Sequence, residues 1–161
     1  MLYFAYASNL NPAQMRERAP GHHMVGLAVL HDHRLVFPRY SDHWGGGMAS
    51  VTHAHGQTVW GMIHEVGDED LATLDRLEGF QGPGNQHNLY DRELITVELV
   101  RPDDGSVPRR VRAAAYLARP SNPSPPSRRY LDTILAGARH HRLPEEYVEA
   151  LQGHETASEA T

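Results

Sequence analysis

MLYFAYASNL, residues 1–10, sets the reading of the whole chain. Leu2 to Tyr6 is an unbroken apolar and aromatic run without charge, the pattern of a strand buried on both faces and not of an amphipathic helix. It stops at Ala7, Ser8 and Asn9, which are small or carry turn-forming polar side chains. Asn11 and Pro12 then supply a helix N-cap followed by proline at the first helical position. A buried strand that runs straight into a helix start leaves backbone N–H groups unpaired at the mouth of the core. Such groups can hold a carboxylate or a developing oxyanion. The same residues also read as a plain tight connection in which Ser8 and Asn9 bond their own backbone.

Composition narrows the classes. With 161 residues, 40% of them hydrophobic, the chain can bury one good core. One domain over residues 1–152 is expected, followed by a small, polar, disordered tail at 153–161. The absence of cysteine excludes disulfides, thiolate metal sites and a cysteine nucleophile. A net charge of -5 argues against nucleic-acid binding, and the clusters Arg109, Arg110, Arg112 and Arg128, Arg129 read as solvated faces. No apolar run approaches the length of a membrane span, and the opening lacks the basic lead of a secretory leader. A soluble cytoplasmic protein is therefore expected, either a monomer or a homodimer. The twelve histidines are scattered. Pairs such as His31/His33 and His53/His55 place two imidazoles on one strand face, but there is no HExxH and no helical i, i+4 pair. Surface histidine is expected, with no metal site.

Along the chain, Asn11 to Arg18 reads as a short helix, with Met15 inward. His23 to His31 and His33 to Phe37 read as two strands joined at His31-Asp32, and Pro38 to Gly47 as a loop. Trp44-Gly45-Gly46-Gly47 either permits close backbone approach or forms a hinge. Met48 to Thr52 and Thr58 to Val66 follow as strands. The strongest helix signal comes next: Asp68 as N-cap, acids in the first turn, Leu71, Leu74 and Leu77 on one stripe, and Gly79 just past the end. Glu78 is then the last helical residue, where the helix carries partial negative charge and Leu77 and Phe80 can desolvate it. Both effects raise a carboxyl pKa towards the general acid/base range, although an exposed glutamate would also be tolerated there. Leu89 to Arg101 and Arg109 to Leu117 form a hairpin around Pro102-Asp-Asp-Gly105. The proline-rich stretch 119–126 reads as a semi-rigid strap. Ser127 caps a helix bearing Leu131, Ile134, Leu135 and Ala138, and Pro144 opens another with Tyr147, Val148 and Leu151 inward. Strands spaced too closely for repeated helical crossovers predict a mixed or antiparallel sheet closing into a small barrel, an α+β fold with flanking helices.

Two distant elements together are more specific than either alone. YFAYASNL, with LDRLEGF some seventy residues on, resembles the gamma-glutamylcyclotransferase family, whose signature is a Y-G-S-N-L loop and a glutamate followed by glycine. WGGGMASV, VWGMIHEV, Tyr90, PPSRRY and RLPEEYVEAL extend the resemblance from Leu2 to about Leu151. It implies a small mixed-strand β-barrel and a cofactor-independent enzyme that cleaves a gamma-glutamyl amide through the substrate's own alpha-amine, releasing 5-oxoproline and an amine or amino acid. By motif, it makes Glu78 the catalytic acid/base and Tyr6, Ala7, Ser8, Asn9 and Leu10 the loop that holds the glutamyl moiety. Tyr90 and Tyr130 become active-site tyrosines.

Ala7 stands where the family has glycine. If that position needs positive φ, the loop is strained; if not, the methyl only narrows the pocket. Two rivals accompany the cyclotransferase reading. One is a non-catalytic module that binds gamma-glutamyl ligands, and the other a tailoring enzyme that removes a gamma-glutamyl protecting group in secondary metabolism.

Overall fold

The computed structural model describes residues 1–158. Five strands close into a barrel in the order β1-β3-β2-β4-β5: β1 (Leu2–Ala5), β2 (His23–Ser41), β3 (Gly46–Glu65), β4 (Tyr90–Pro102) and β5 (Arg109–Ala118). Every ladder is antiparallel except β1 with β5, so the barrel is mixed. Four helices flank it: α1 (Pro12–Arg18), α2 (Asp68–Leu77), α3 (Arg128–His140) and α4 (Glu145–Gln152). This is the expected α+β barrel.

The opening strand shows why its run had to be apolar throughout. Phe4 and Tyr6 enter the barrel core with Val59, Ile63 and the buried face of α3, whereas Tyr3 and Ala5 enter a second cluster with Met15, Leu71 and Leu74 of α1 and α2. Neither face meets water, so alternation would have left polar groups buried. Beyond β1, a single 3-10 turn (Ser8–Leu10) leads into α1, whose N-cap Asn11 accepts from the N–H of Ala13 and Gln14. Leu10 is fully buried beneath this turn, and α3 passes directly over it at Gly137.

The region read as four short strands and a loop is one long hairpin. β2 continues through Asp32 and Pro38 to Ser41, and β3 runs unbroken from Gly46. Asp32 takes positive φ (58°), and its carboxylate accepts from the N–H of Gly56, so a bulge bends the ladder where a break was expected. Pro38 is tolerated because it falls in the register shift between Val36 and Arg39 in the β2–β3 ladder, and the proline-rich strap bonds this stretch as well: Ser121 N–H donates to Pro38 O, and Tyr40 N–H to Ser121 O. The tip glycines permit close approach and do not act as a hinge, since a Cβ at Gly46 or Gly47 would collide with the strap backbone at Ser124 to Ser127. Two residues of the tail expected to be disordered contact the body. His154 packs edge-on against Phe37 at 5.2 Å, and Ala157 N–H donates to Pro126 O at 2.8 Å. Residues 159–161, which the same expectation covers, lie outside the described residues.

One histidine departs from the surface expectation. His64 on β3 is 2% exposed, and neither ring nitrogen has a hydrogen-bond partner among the described residues. Burial, and then the neighbouring His22 and His141, push its pKa down to about 3. A histidine in the unfolded chain protonates near ~6.5, so this group withdraws stability from the fold as pH falls from that value towards 3. His64→Phe therefore flattens the loss of melting temperature between about pH 7 and 5 and adds about 1 kcal/mol at neutral pH by removing two orphan nitrogens. An unchanged acid slope would refute this account. At Gly137 an added Cβ would fall on the backbone of Leu10 and Asn11. Gly137→Ala is expected to cost about 1–3 kcal/mol in urea unfolding, and full retention of stability would show that the turn yields freely.

Candidate active site

The end of α2 carries the group on which the site centres. Gly67, not Asp68, is the N-cap residue, and Asp68, Glu69 and Asp70 occupy the first turn. At the other end the helix stops at Leu77, one residue short of the expected end, and Glu78 is the C-cap, with φ −88° and ψ 0°. Gly79 follows in the left-handed conformation (φ 67°). Gly79 N–H reaches Arg76 O at 3.2 Å and Phe80 N–H reaches Asp75 O at 2.8 Å, the paired bonds of a Schellman cap. Asp75 also ties this end to the barrel, accepting from Tyr116 Oη on β5 at 2.7 Å and pairing with Arg92 on β4. The backbone beneath Glu78 is thus held by its own helix and by two strands.

The Glu78 side chain is 18% exposed and lines a cavity of about 360 Å³. No hydrogen-bond donor reaches its carboxyl among the described residues; the nearest cation, Arg18 Nη1, is 4.0 Å away. Burial pushes the Glu78 pKa up to about 7, and the Arg18 charge opposes that rise without cancelling it. A carboxyl in this state exchanges protons near neutrality.

The loop from Tyr6 to Asn9 lines the same cavity. The Ser8 and Asn9 side chains do not bond their own backbone. Gln14 of α1 donates to Ser8 Oγ (2.7 Å) and to Asn9 Oδ1 (3.0 Å), Arg18 donates to Asn9 Oδ1 (3.2 Å), and Asn9 Nδ2 donates to Tyr3 Oη (2.8 Å). Both side chains are therefore committed inward. Nothing among the described residues accepts from the backbone N–H of Ser8 or Asn9, the first donors of the 3-10 turn. Ala7 has φ −124°, outside the left-handed region, so its methyl meets no glycine requirement there. Tyr6, Ala7, Ser8 and Asn9 line the cavity with Glu78, Tyr90 and Tyr130; Leu10 does not, because its side chain turns into the core.

The tyrosines divide by what their hydroxyls do. Tyr6 donates to Tyr116 O at 2.6 Å and Tyr90 to Ala49 O at 2.9 Å, so those protons are committed. Tyr130 instead accepts from Ala49 N–H (2.9 Å), and Tyr3 accepts from Asn9, which leaves each with a proton to donate. Burial raises the pKa of all four, so they stay neutral phenols. The outer wall is the hairpin tip: Trp44 stands edge-on to Tyr130 at 4.9 Å, and Arg129 stacks on its other side, 4.5 Å from the ring centroid.

Sequence reading did not identify Arg18, Trp44, Tyr3 or Tyr116 as part of this site. For Arg18 a signal was present, since Gln14 and Arg18 are one helical turn apart and share a face. The others meet only through long-range pairing. Arg18→Met removes the charge that holds the Glu78 pKa down, so carboxyl NMR should place the Glu78 titration above its present value of about 7. A downward move, or none, would contradict the assigned electrostatics.

Comparison with known proteins bears on all of this. Residues 58–151 match the model of the AIG2-like family. The gamma-glutamylcyclotransferase of Mus musculus is 30% identical over 156 residues, covering 94% of this chain and 77% of that protein, and the Homo sapiens gamma-glutamylcyclotransferase is 31% identical over the same shares. A solved gamma-glutamyl cyclotransferase structure superposes with a TM-score of 0.85 at 28% identity, over 100% of this chain and 91% of that one. With the family model matching more than half of the chain and relatives of 30–31% identity matching nearly all of it, this chain belongs to the AIG2-like, gamma-glutamylcyclotransferase family.

Proposed function

We propose that this protein cleaves small gamma-glutamyl amides by intramolecular cyclisation, releasing 5-oxoproline and a free amine or amino acid. The observation that carries the reading is a single buried carboxyl, Glu78, with its pKa pushed up to about 7, lining one cavity with Ser8 and Asn9, whose backbone N–H groups have no partner among the described residues. The names of the relatives point the same way.

The reaction needs no side-chain nucleophile. The substrate's alpha-amine attacks its own gamma-carbonyl carbon, one C–N bond forms, and the original amide C–N bond breaks. Glu78 as carboxylate accepts a proton from the attacking nitrogen and, as the acid, returns it to the departing nitrogen. The Ser8 and Asn9 N–H groups, with the uncommitted hydroxyl protons of Tyr3 and Tyr130, supply donors for the glutamyl carboxylate and the tetrahedral oxyanion. Asn9 acts by orienting the loop and not by direct contact, since its amide is spent on Tyr3, Gln14 and Arg18. The binding-module alternative drew its force from Ala7, and the φ at that position removes this ground.

The test is 5-oxoproline release from a panel of gamma-glutamyl dipeptides and amines. Turnover is expected, with kcat reduced by about 10²–10⁴ in Glu78→Gln, which keeps the shape and loses the titrating group. Because the first step requires ionised Glu78, kcat/KM should fall as pH drops below about 7. Turnover surviving the substitution would remove Glu78 from the mechanism, and a folded protein that binds but turns over nothing would restore the binding-only reading.

A further inference from the structure

Leu77 and Leu89 are 49% and 43% exposed, unusual for large aliphatic side chains that line a cavity. The helical stripe predicts Leu77 to be buried with Leu71 and Leu74, but it faces outward at the cavity mouth. They flank the reactive carboxyl closely: Leu77 immediately precedes Glu78, and the Leu89 side chain lies against Gly79, immediately after it. Leu89 N–H donates to Gly79 O at 2.9 Å, which fixes this second leucine to the helix end that carries Glu78. Met48 and Trp44 continue the apolar surface on the hairpin side.

Charge at the mouth is as informative. Arg18 is the only arginine or lysine among the lining residues; it donates to Asn9 Oδ1, and its guanidinium lies 4.0 Å from the Glu78 carboxyl. Arg129, outside the lining, is stacked on Trp44 and donates to His43 O. A carboxylate arriving beside Leu77 and Leu89 would lose hydration against two leucines that offer no charge or donor in return.

We propose that Leu77 and Leu89 form the leaving-group subsite and select gamma-glutamyl conjugates whose departing amine carries an apolar substituent, a subsite that rests on the cyclotransferase reading above. The departing nitrogen must reach Glu78 to take its proton, so whatever that nitrogen bears extends over the residues on either side of Glu78. Burying an aliphatic group there releases water from both leucines, whereas a small or acidic substituent leaves them wet.

The experiment compares gamma-glutamyl-isoamylamide, gamma-glutamyl-leucine, gamma-glutamyl-glycine and gamma-glutamyl-glutamate. Wild-type kcat/KM should be about tenfold or more higher for the first two than for gamma-glutamyl-glycine, with gamma-glutamyl-glutamate lowest. The double variant Leu77→Gln, Leu89→Gln, altered at two half-exposed positions, should collapse that ratio to within about threefold, mainly through KM. Equal rates across the panel, a preference for glycine or glutamate, or a ratio that survives the double variant would overturn the subsite. Calorimetric binding of the same conjugates to Glu78→Gln separates the two claims. The apolar order of affinity without turnover in wild type would sink the reaction and keep the subsite; turnover without that order would do the reverse.

Discussion

The Ala49 peptide joins three elements that are far apart in sequence. Its N–H donates to the Tyr130 hydroxyl on α3 and its carbonyl accepts from the Tyr90 hydroxyl on β4. The β2–β3 hairpin is longer than the barrel requires, and its outer half would project into solvent unless something drew it back. Those two tyrosine bonds do so, together with the Ser50 hydroxyl accepting from Ala118 N–H and the strap bonding Gly47. Buried hydrogen bonds of this kind are worth little net but costly to break, because each broken one strands a polar group away from water. The hairpin tip, with Trp44 on it, therefore becomes a wall of the cavity instead of a loose arm.

Within that wall the carboxyl of Glu78 sits between opposing forces. Burial disfavours its charged form, while Arg18 favours it from 4.0 Å. A closer, bidentate Arg18 would hold the group ionised at all physiological pH, and its absence would let desolvation alone decide. The observed arrangement leaves Arg18 bonded to Asn9 and acting on Glu78 through space, so the same guanidinium steadies the substrate loop and tempers the carboxyl. α1 thus contributes to the site although neither Gln14 nor Arg18 belongs to either signature motif.

The parts of the site legible in the sequence were those encoded by local chemistry. The uncharged opening run, the Asn11-Pro12 helix start and Gly79 after Glu78 each describe a backbone state that few residues satisfy, so strand, turn and helix end could be read directly. The long hairpin was not legible because Asp32 and Pro38 ordinarily mark breaks; here a bulge absorbs one, and the strap lies alongside the other. Leu77 was placed inward for a related reason: periodicity gives a face, but whether that face meets core or cavity depends on what packs above it, and beside Leu77 the cavity is open. A motif likewise names a loop without saying which of its side chains turn inward, and Leu10 turns into the core beneath Gly137 of α3.

On the proposed pathway, a bound substrate would shift the pKa of Glu78 away from its value in the protein alone. A gamma-glutamyl substrate on the proposed pathway brings an alpha-ammonium into the same cavity, among neutral phenols that offer dipoles but no competing charge. That cation favours ionised Glu78, just as Arg18 does. Binding then drives Glu78 towards the carboxylate needed to take up the proton, and attack of the amine removes the positive charge and returns Glu78 to its acidic form. A carboxyl balanced near neutrality in the empty protein is moved in either direction by a single charge. A fully solvated or firmly salt-bridged glutamate, ionised throughout, would lack the second half of that cycle.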